Sequence, residues 1–82
     1  MASATLDRVY TYHPPFGDQP NRYEGIREAG KAFARLVTST TPPSREQSVA
    51  LTKIQETVFW ANAAIAVNET APAEPVANQE SV

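Results

Sequence analysis

Apolar residues in this chain fall into two helix-length stretches separated by a break at residues 38–43 (TSTTPP). In the first stretch Tyr23, Ile26, Phe33 and Val37 recur at a/d spacing, with Gly30 in the remaining place of the seam. Asp18 suits an N-cap and Pro20 the first turn, where its missing donor is harmless, so the spacing predicts a helix over about residues 20–37. In the second stretch Ser44 is followed three residues later by Gln47, the signature of a capping box. Leu51, Ile54, Val58, Ala61 and Ile65 then form another a/d seam, predicting a helix over residues 44–68. Pro42 and Pro43 clash with a preceding helical turn and push the residue before each out of helical angles. The chain turns there, and a link this short favours an antiparallel pair. The predicted fold is all-α: an antiparallel helical hairpin over residues 1–69, opening on an ordered loop or short helix. Residues 1–10 are weakly patterned, whereas 11–19 (TYHPPFGDQ), with two prolines, a glycine and two aromatics, read as an ordered loop.

The second helix carries more apolar surface than one partner helix can cover. Val49, Phe59 and Trp60 fall off its seam, and Ala61, Ala63, Ala64 and Ala66 add a smooth strip suited to close helix contact. A monomer seldom leaves such a surface wet, so a subunit interface and a homo-oligomer are expected. The other use of these residues is intramolecular, with Tyr10, Tyr12 and Phe16 folding back over Trp60. Gly30 costs about 0.5–1 kcal/mol against alanine inside a helix, which implies close approach of another backbone or of a ligand.

With 82 residues the chain forms one small domain. Residues 70–82 (TAPAEPVANQESV) have two prolines and no aromatic, which suits a disordered tail. Removing Glu74 and Glu80 from the nine acidic residues leaves seven against seven basic ones in residues 1–69, so the net charge of −2 comes from the tail. A neutral body weighs against binding long nucleic acid, which draws its affinity from many phosphate contacts. No apolar run approaches the roughly 18–20 residues that span a bilayer, and MASATLDRVY lacks the features of a signal peptide, so a cytoplasmic protein is expected. The absence of cysteine leaves packing and partners as the sources of stability.

Catalysis finds little support. His13 is the only histidine, so neither a conventional zinc cluster nor a Cys–His pair can be built within one chain. Ser44 is placed to cap a helix, and Glu24, Glu28, Glu46 and Glu56 sit among basic residues as solvated faces would. Glycines 17, 25 and 30 do not make a phosphate loop. No enzyme, cofactor or metal is expected. What does carry chemistry is a row of cations, Arg27, Lys31 and Arg35, spaced i, i+4, i+8 along one side of the first helix. Ordinary solvated surface with Glu24 and Glu28 as partners is one reading. The other joins the row to the aromatic loop of Tyr12, His13 and Phe16, since rings stack on bases while guanidinium groups clamp phosphate oxygens, together making a nucleotide-sized site.

Beyond these patterns, residues 10–67 resemble a known family, the phage anti-CBASS sponges that sequester cyclic oligonucleotide signals, and the anti-Thoeris sponges that share their hairpin. Tyr12 stands fifteen residues before Arg27, which lies in Ile26-Arg27-Glu28-Ala29-Gly30; the family has a loop tyrosine and a basic residue in a similar Ile-basic-Glu-x-Gly stretch. Thr52-Lys53-Ile54-Gln55-Glu56 and Ala64-Ile65-Ala66 resemble its Thr-x-Leu-Gln-Glu and Ala-Val-Ala segments. The resemblance implies a homohexamer of hairpins holding cyclic dinucleotides between neighbouring subunits, with Tyr12 on a base and Arg27 on phosphate; the cation row, the aromatic loop and the helix glycine add Lys31, Phe16 and Gly30 to the candidate site. Some relatives hold cyclic trinucleotides in a second site built from a threonine and an arginine. Where that arginine is expected stands Leu51, and Arg45 with Ser48 and Thr52 could rebuild the site from one helix side; helix capping and solvated surface are the alternative use of those three. Cyclic ADP-ribose is a further ligand class within the resemblance. From another class altogether, a helical protein–protein adaptor gripping a partner through Phe59 and Trp60 would use the same apolar excess.

Overall fold

Three helices form in the computed structural model, which describes residues 3–71: α1 Ser3–Tyr10, α2 Gln19–Thr40 and α3 Arg45–Asn68. The weakly patterned start of the chain is therefore helical from Ser3 on, and the tail expected over 70–82 lies, from residue 72 on, outside the described residues. Two boundaries differ from the sequence expectation for identifiable reasons. α2 continues to Thr40 because its Ser/Thr run supplies its own carbonyl partners: the Thr38 hydroxyl donates to Ala34 O at 2.9 Å, Thr40 to Leu36 O at 2.6 Å and Thr41 to Val37 O at 2.7 Å. The helix stops where Thr41, the residue before Pro42, swings to φ −126°, ψ 152°. At the other end Asp18 sits at the N-cap position but makes no side-chain cap, its carboxylate instead accepting from Arg22 Nε at 3.1 Å.

The start of α3 follows the sequence in one half of the capping box only. Ser44 Oγ accepts from Gln47 N at 3.1 Å, whereas Gln47 Nε2 donates to Thr41 O and Thr41 Oγ1, both at 3.0 Å, instead of reaching back to Ser44. The glutamine thereby staples the proline turn to α3.

α2 and α3 pack antiparallel, since residues at the start of α2 meet Glu69 at the end of α3, while Gly30 meets Val58 near the middle. A Cβ on Gly30 would lie 2.4 Å from Val58 Cγ2, so the glycine is what lets the two helices close at this level. The α3 seam is as expected, with Leu51, Ile54, Val58, Ala61 and Ile65 all half-buried. On α2 one seam position moves. Phe33 is 56 % exposed and Ala34 takes the inward place, because a straight helix drifts about 20° per heptad from a strict seven-residue repeat and the stripe passes from i+3 to i+4 after Gly30.

The molecule measures 57 × 29 × 12 Å. Its least dimension matches the diameter of one helix with side chains, about 10–12 Å, so the hairpin is a layer one helix deep. Among the described residues no hydrophobic side chain is buried, and Leu36, Phe59 and Trp60 are exposed. The intramolecular cover considered for Trp60 does not form: the indole is 74 % exposed, and Tyr10 and Tyr12 are more exposed still. α1 packs instead on the C-terminal end of α3, where Val9, Ala63, Ala64 and Val67 border a shallow apolar hollow beside Trp60.

Gly30→Ala is expected to destabilise the fold despite alanine's better helix propensity. Overpacking against a β-branched side chain that is stiff in a helix costs about 1–3 kcal/mol, against about 1 kcal/mol gained in propensity. Urea unfolding should show a lower midpoint for Gly30→Ala, with recovery on adding Val58→Ala. An unchanged midpoint in the single variant would contradict the close approach.

Candidate functional site

Tyr12 is presented by its neighbours and makes no hydrogen bond of its own among the described residues. α1 ends at Tyr10, and its exposed C-terminal carbonyls are taken up from both sides of the tyrosine: the Thr11 hydroxyl donates to Asp7 O, and His13 Nε2 lies 2.6 Å from Arg8 O. A carbonyl only accepts, so this histidine nitrogen carries the proton. The histidine is thus engaged in shaping the loop, while the Tyr12 ring is 80 % exposed. Further along, Gln19 N donates to Phe16 O at 3.0 Å, and this turn places Gly17 at φ +58° with Asp18 at φ −91°, ψ 9°, a II′-like bend that favours glycine at its first central position. Phe16 itself is half-buried and lines a small cleft with Arg8, His13, Pro14 and Glu69.

The loop and both long helices meet at the end of α3. Gln19 is 2 % exposed; its Oε1 accepts from Phe16 N at 3.1 Å and its Nε2 donates to Glu69 Oε1 at 3.0 Å. Arg22 grips the same carboxylate with both terminal guanidinium nitrogens, at 2.7 and 2.6 Å. Arg8 donates to the carbonyls of Val67 and, at 3.1 Å, of Glu69, satisfying the last turn of α3 with a cation on the negative end of its dipole. The Arg22 hydrogen bonds, helped by Gln19, hold the Glu69 carboxyl down at about 2, and the same pairing raises Arg22 further. Both side chains are over a third exposed, so solvent screens much of the attraction and the pair locates more than it stabilises.

Arg27, Lys31 and Arg35 are exposed along α2, and among the described residues none is within ion-pair distance of a carboxylate, Glu24 and Glu28 included. The expected solvated pairs are absent at this level. Below the row, Ile26, Ala29, Gly30, Phe33, Ile54 and Thr57 line an apolar groove of about 250 Å³. Gly30 is accounted for by the close approach of Val58, and it also floors this groove. Arg45, Ser48 and Thr52 are all exposed at the start of α3, where Arg45 begins the helix and Ser44 has the capping role. Tyr12 and Arg27 make no hydrogen bond to each other within the chain.

Arg8, Arg22 and Glu69 escaped the sequence reading, since pairs 47 and 61 residues apart leave no periodic trace. One local signal was available: a carboxylate just past a helix C-terminus opposes the helix dipole and calls for a cation. Among the described residues no group of acidic or histidine side chains is placed to hold a metal, and no helix is long and apolar enough to cross a membrane.

The sequence model of the family described as Acb2/Tad1, hairpin domain, matches residues 3–66, which takes in all of α1 and α2 and most of α3. No curated protein and no solved structure matches the chain.

The Glu69 geometry fixes an acid dependence. A carboxyl held at about 2 when folded, against 4.5 ordinarily, contributes stability at neutral pH that fades as pH falls from about 4.5 toward about 2. Thermal melting of wild type and Glu69→Gln should therefore differ at pH 7 and converge near pH 2. A constant gap across that range would show that the charge is not what the pairing uses.

Proposed function

The chain belongs to the Acb2/Tad1 hairpin-domain family, the anti-CBASS/anti-Thoeris phage sponges, and from that premise we propose that it sequesters cyclic oligonucleotide immune signals without turning them over. The ligands are cyclic dinucleotides such as 3′,3′-cGAMP, held between subunits of a homohexamer, and their capture keeps CBASS effectors from being activated. Tyr12 stacks on a base, Arg27 and Lys31 face phosphate, and Phe16 and Gly30 shape the wall and floor. The observation that supports this reading most directly is that the ring of Tyr12 and the α2 cations Arg27, Lys31 and Arg35 are exposed and unpaired among the described residues. Stacking and phosphate binding both need groups that are not already engaged.

Assembly follows from the depth of the layer. With no buried hydrophobic residue and no metal-holding cluster among the described residues, and no cysteine in the chain, oligomerisation is the staple that would add to the hairpin's own packing. Val49, Leu36, Phe59 and Trp60 supply the surface. Closing subunits over one another would bring Tyr12 of one copy to the cation row of another. Arg45, Ser48 and Thr52 form a second, weaker candidate, a cyclic trinucleotide site built from several copies. The exposure of Phe59 and Trp60 also suits a protein–protein adaptor, which would need neither Tyr12 nor Arg27.

The deciding experiment incubates the purified protein with 3′,3′-cGAMP, denatures it by heat and recovers the nucleotide, which should return intact. Tyr12→Ala and Arg27→Ala should each lose retention, stacking alone being worth about 1–3 kcal/mol per base, with the assembled mass unchanged. Retention by both variants would refute the assignment. No retention by wild type, across cyclic dinucleotides, cyclic trinucleotides and cyclic ADP-ribose, would favour the adaptor. Trp60→Ala should shift sedimentation toward smaller species, truncation of a tryptophan buried by assembly costing about 3–5 kcal/mol; an unaltered profile would place Trp60 outside the interface.

A further inference from the structure

Tyr12 has no hold of its own, so its position is inherited, and two separate strings of contacts lead from it to the same place. One runs backwards. Thr11 and His13 fasten the loop to the end of α1, and Arg8 of α1 donates to the carbonyls of Val67 and Glu69. α1 has eight residues, short of the roughly 12–15 a helix needs to persist alone, so it keeps its shape only where it is docked. The other string runs forwards, through the Phe16 turn to the side chain of Gln19, buried to 2 % exposure, and from there to the Glu69 carboxylate. Glu69 closes both strings, the first on its main-chain carbonyl and the second on its carboxylate. It sits where the α3 dipole disfavours a carboxylate, and it is kept there by donors from Gln19 at 3.0 Å and Arg22 at 2.6 and 2.7 Å.

We propose that Glu69, clasped by Gln19 and Arg22, is a positioning residue that presets the Tyr12 loop for its ligand from the far end of the hairpin. The proposal rests on the sponge reading for the identity of the ligand and on the contacts above for everything else. A loop held in place spares the ligand the entropy of ordering it on binding. The clasp lies at the open end of the hairpin, away from the Gly30–Val58 approach and from the Gln47 staple, so releasing it frees the loop and leaves the helix pairing intact.

Two variants and their combination test this. Gln19→Glu keeps an acceptor for Phe16 N and sets a second carboxylate against Glu69; adding Glu69→Gln restores one amide and one carboxylate with their places exchanged, and Arg22 retains a carboxylate to hold. Hydrogen–deuterium exchange should speed up about tenfold over residues 11–19 in Gln19→Glu, the scale of one charge-assisted hydrogen bond, with α2 and α3 unchanged. Calorimetric titration with 3′,3′-cGAMP should show about tenfold weaker binding at unchanged assembled mass, and the double variant should recover both readings. The positioning role is overturned if the loop stays protected in Gln19→Glu, if exchange rises throughout the hairpin, if affinity holds while the loop loosens, or if the double variant recovers neither. Should wild type bind no cyclic nucleotide, the sponge reading and the affinity effect fall together, and loop protection that is lost and then recovered would still support Glu69 as the residue that places Tyr12.

Discussion

A layer one helix deep has no inside. In this hairpin α2 can bury only the stripe facing α3, α3 adds to its own stripe only the end covered by α1, and at 12 Å overall thickness the remaining faces meet solvent. That limit explains why residues on the pairing line are small where the helices come closest, with Gly30 opposite Val58 and Ala34 beyond it. It also explains why large rings such as Phe33, Phe59 and Trp60 point outward. Hydrophobic stabilisation scales with apolar area removed from water, and an isolated hairpin removes little.

Polar fastenings do what a core would otherwise do at the two ends. At the closed end Gln47 ties the proline turn, and threonine hydroxyls finish the last carbonyls of α2. At the open end Arg8, Gln19 and Arg22 converge on the last residues of α3. Partly exposed charge pairs contribute little net stability, but a two-pronged guanidinium–carboxylate contact has a narrow geometry and so fixes relative position. The hairpin is thus aligned by polar contacts and buries little apolar surface of its own, which supports the assembly proposed above.

Sequestration as proposed above calls for affinity, which the polar groups would supply. The carboxylates and the histidine of the described residues are occupied in shaping the loop or spread along solvated faces, while Tyr12 and the cations Arg27, Lys31 and Arg35 are left unengaged. The stacking and phosphate binding proposed above would meet groups presented on backbone that is already ordered.

Local patterns along the chain determined the two long helices, their proline turn, the Ser44 cap and the α3 seam, because each depends on residues within a turn or two of one another. The resemblance in residues 10–67 likewise rests on local runs, and the family match over 3–66 bears out the membership. The end of α2, where hydroxyls replaced the expected stop, and the inward turn of Ala34 in place of Phe33 depended on hydrogen bonding and helix drift that a strict repeat does not encode. Only the tertiary structure decided that α1 docks on α3, that Trp60 stays uncovered and that Arg8, Gln19 and Arg22 all end at Glu69. Those contacts join residues about 50 or more apart, and a side chain's partner at that range is set by how the helices pack, which no short-range pattern carries.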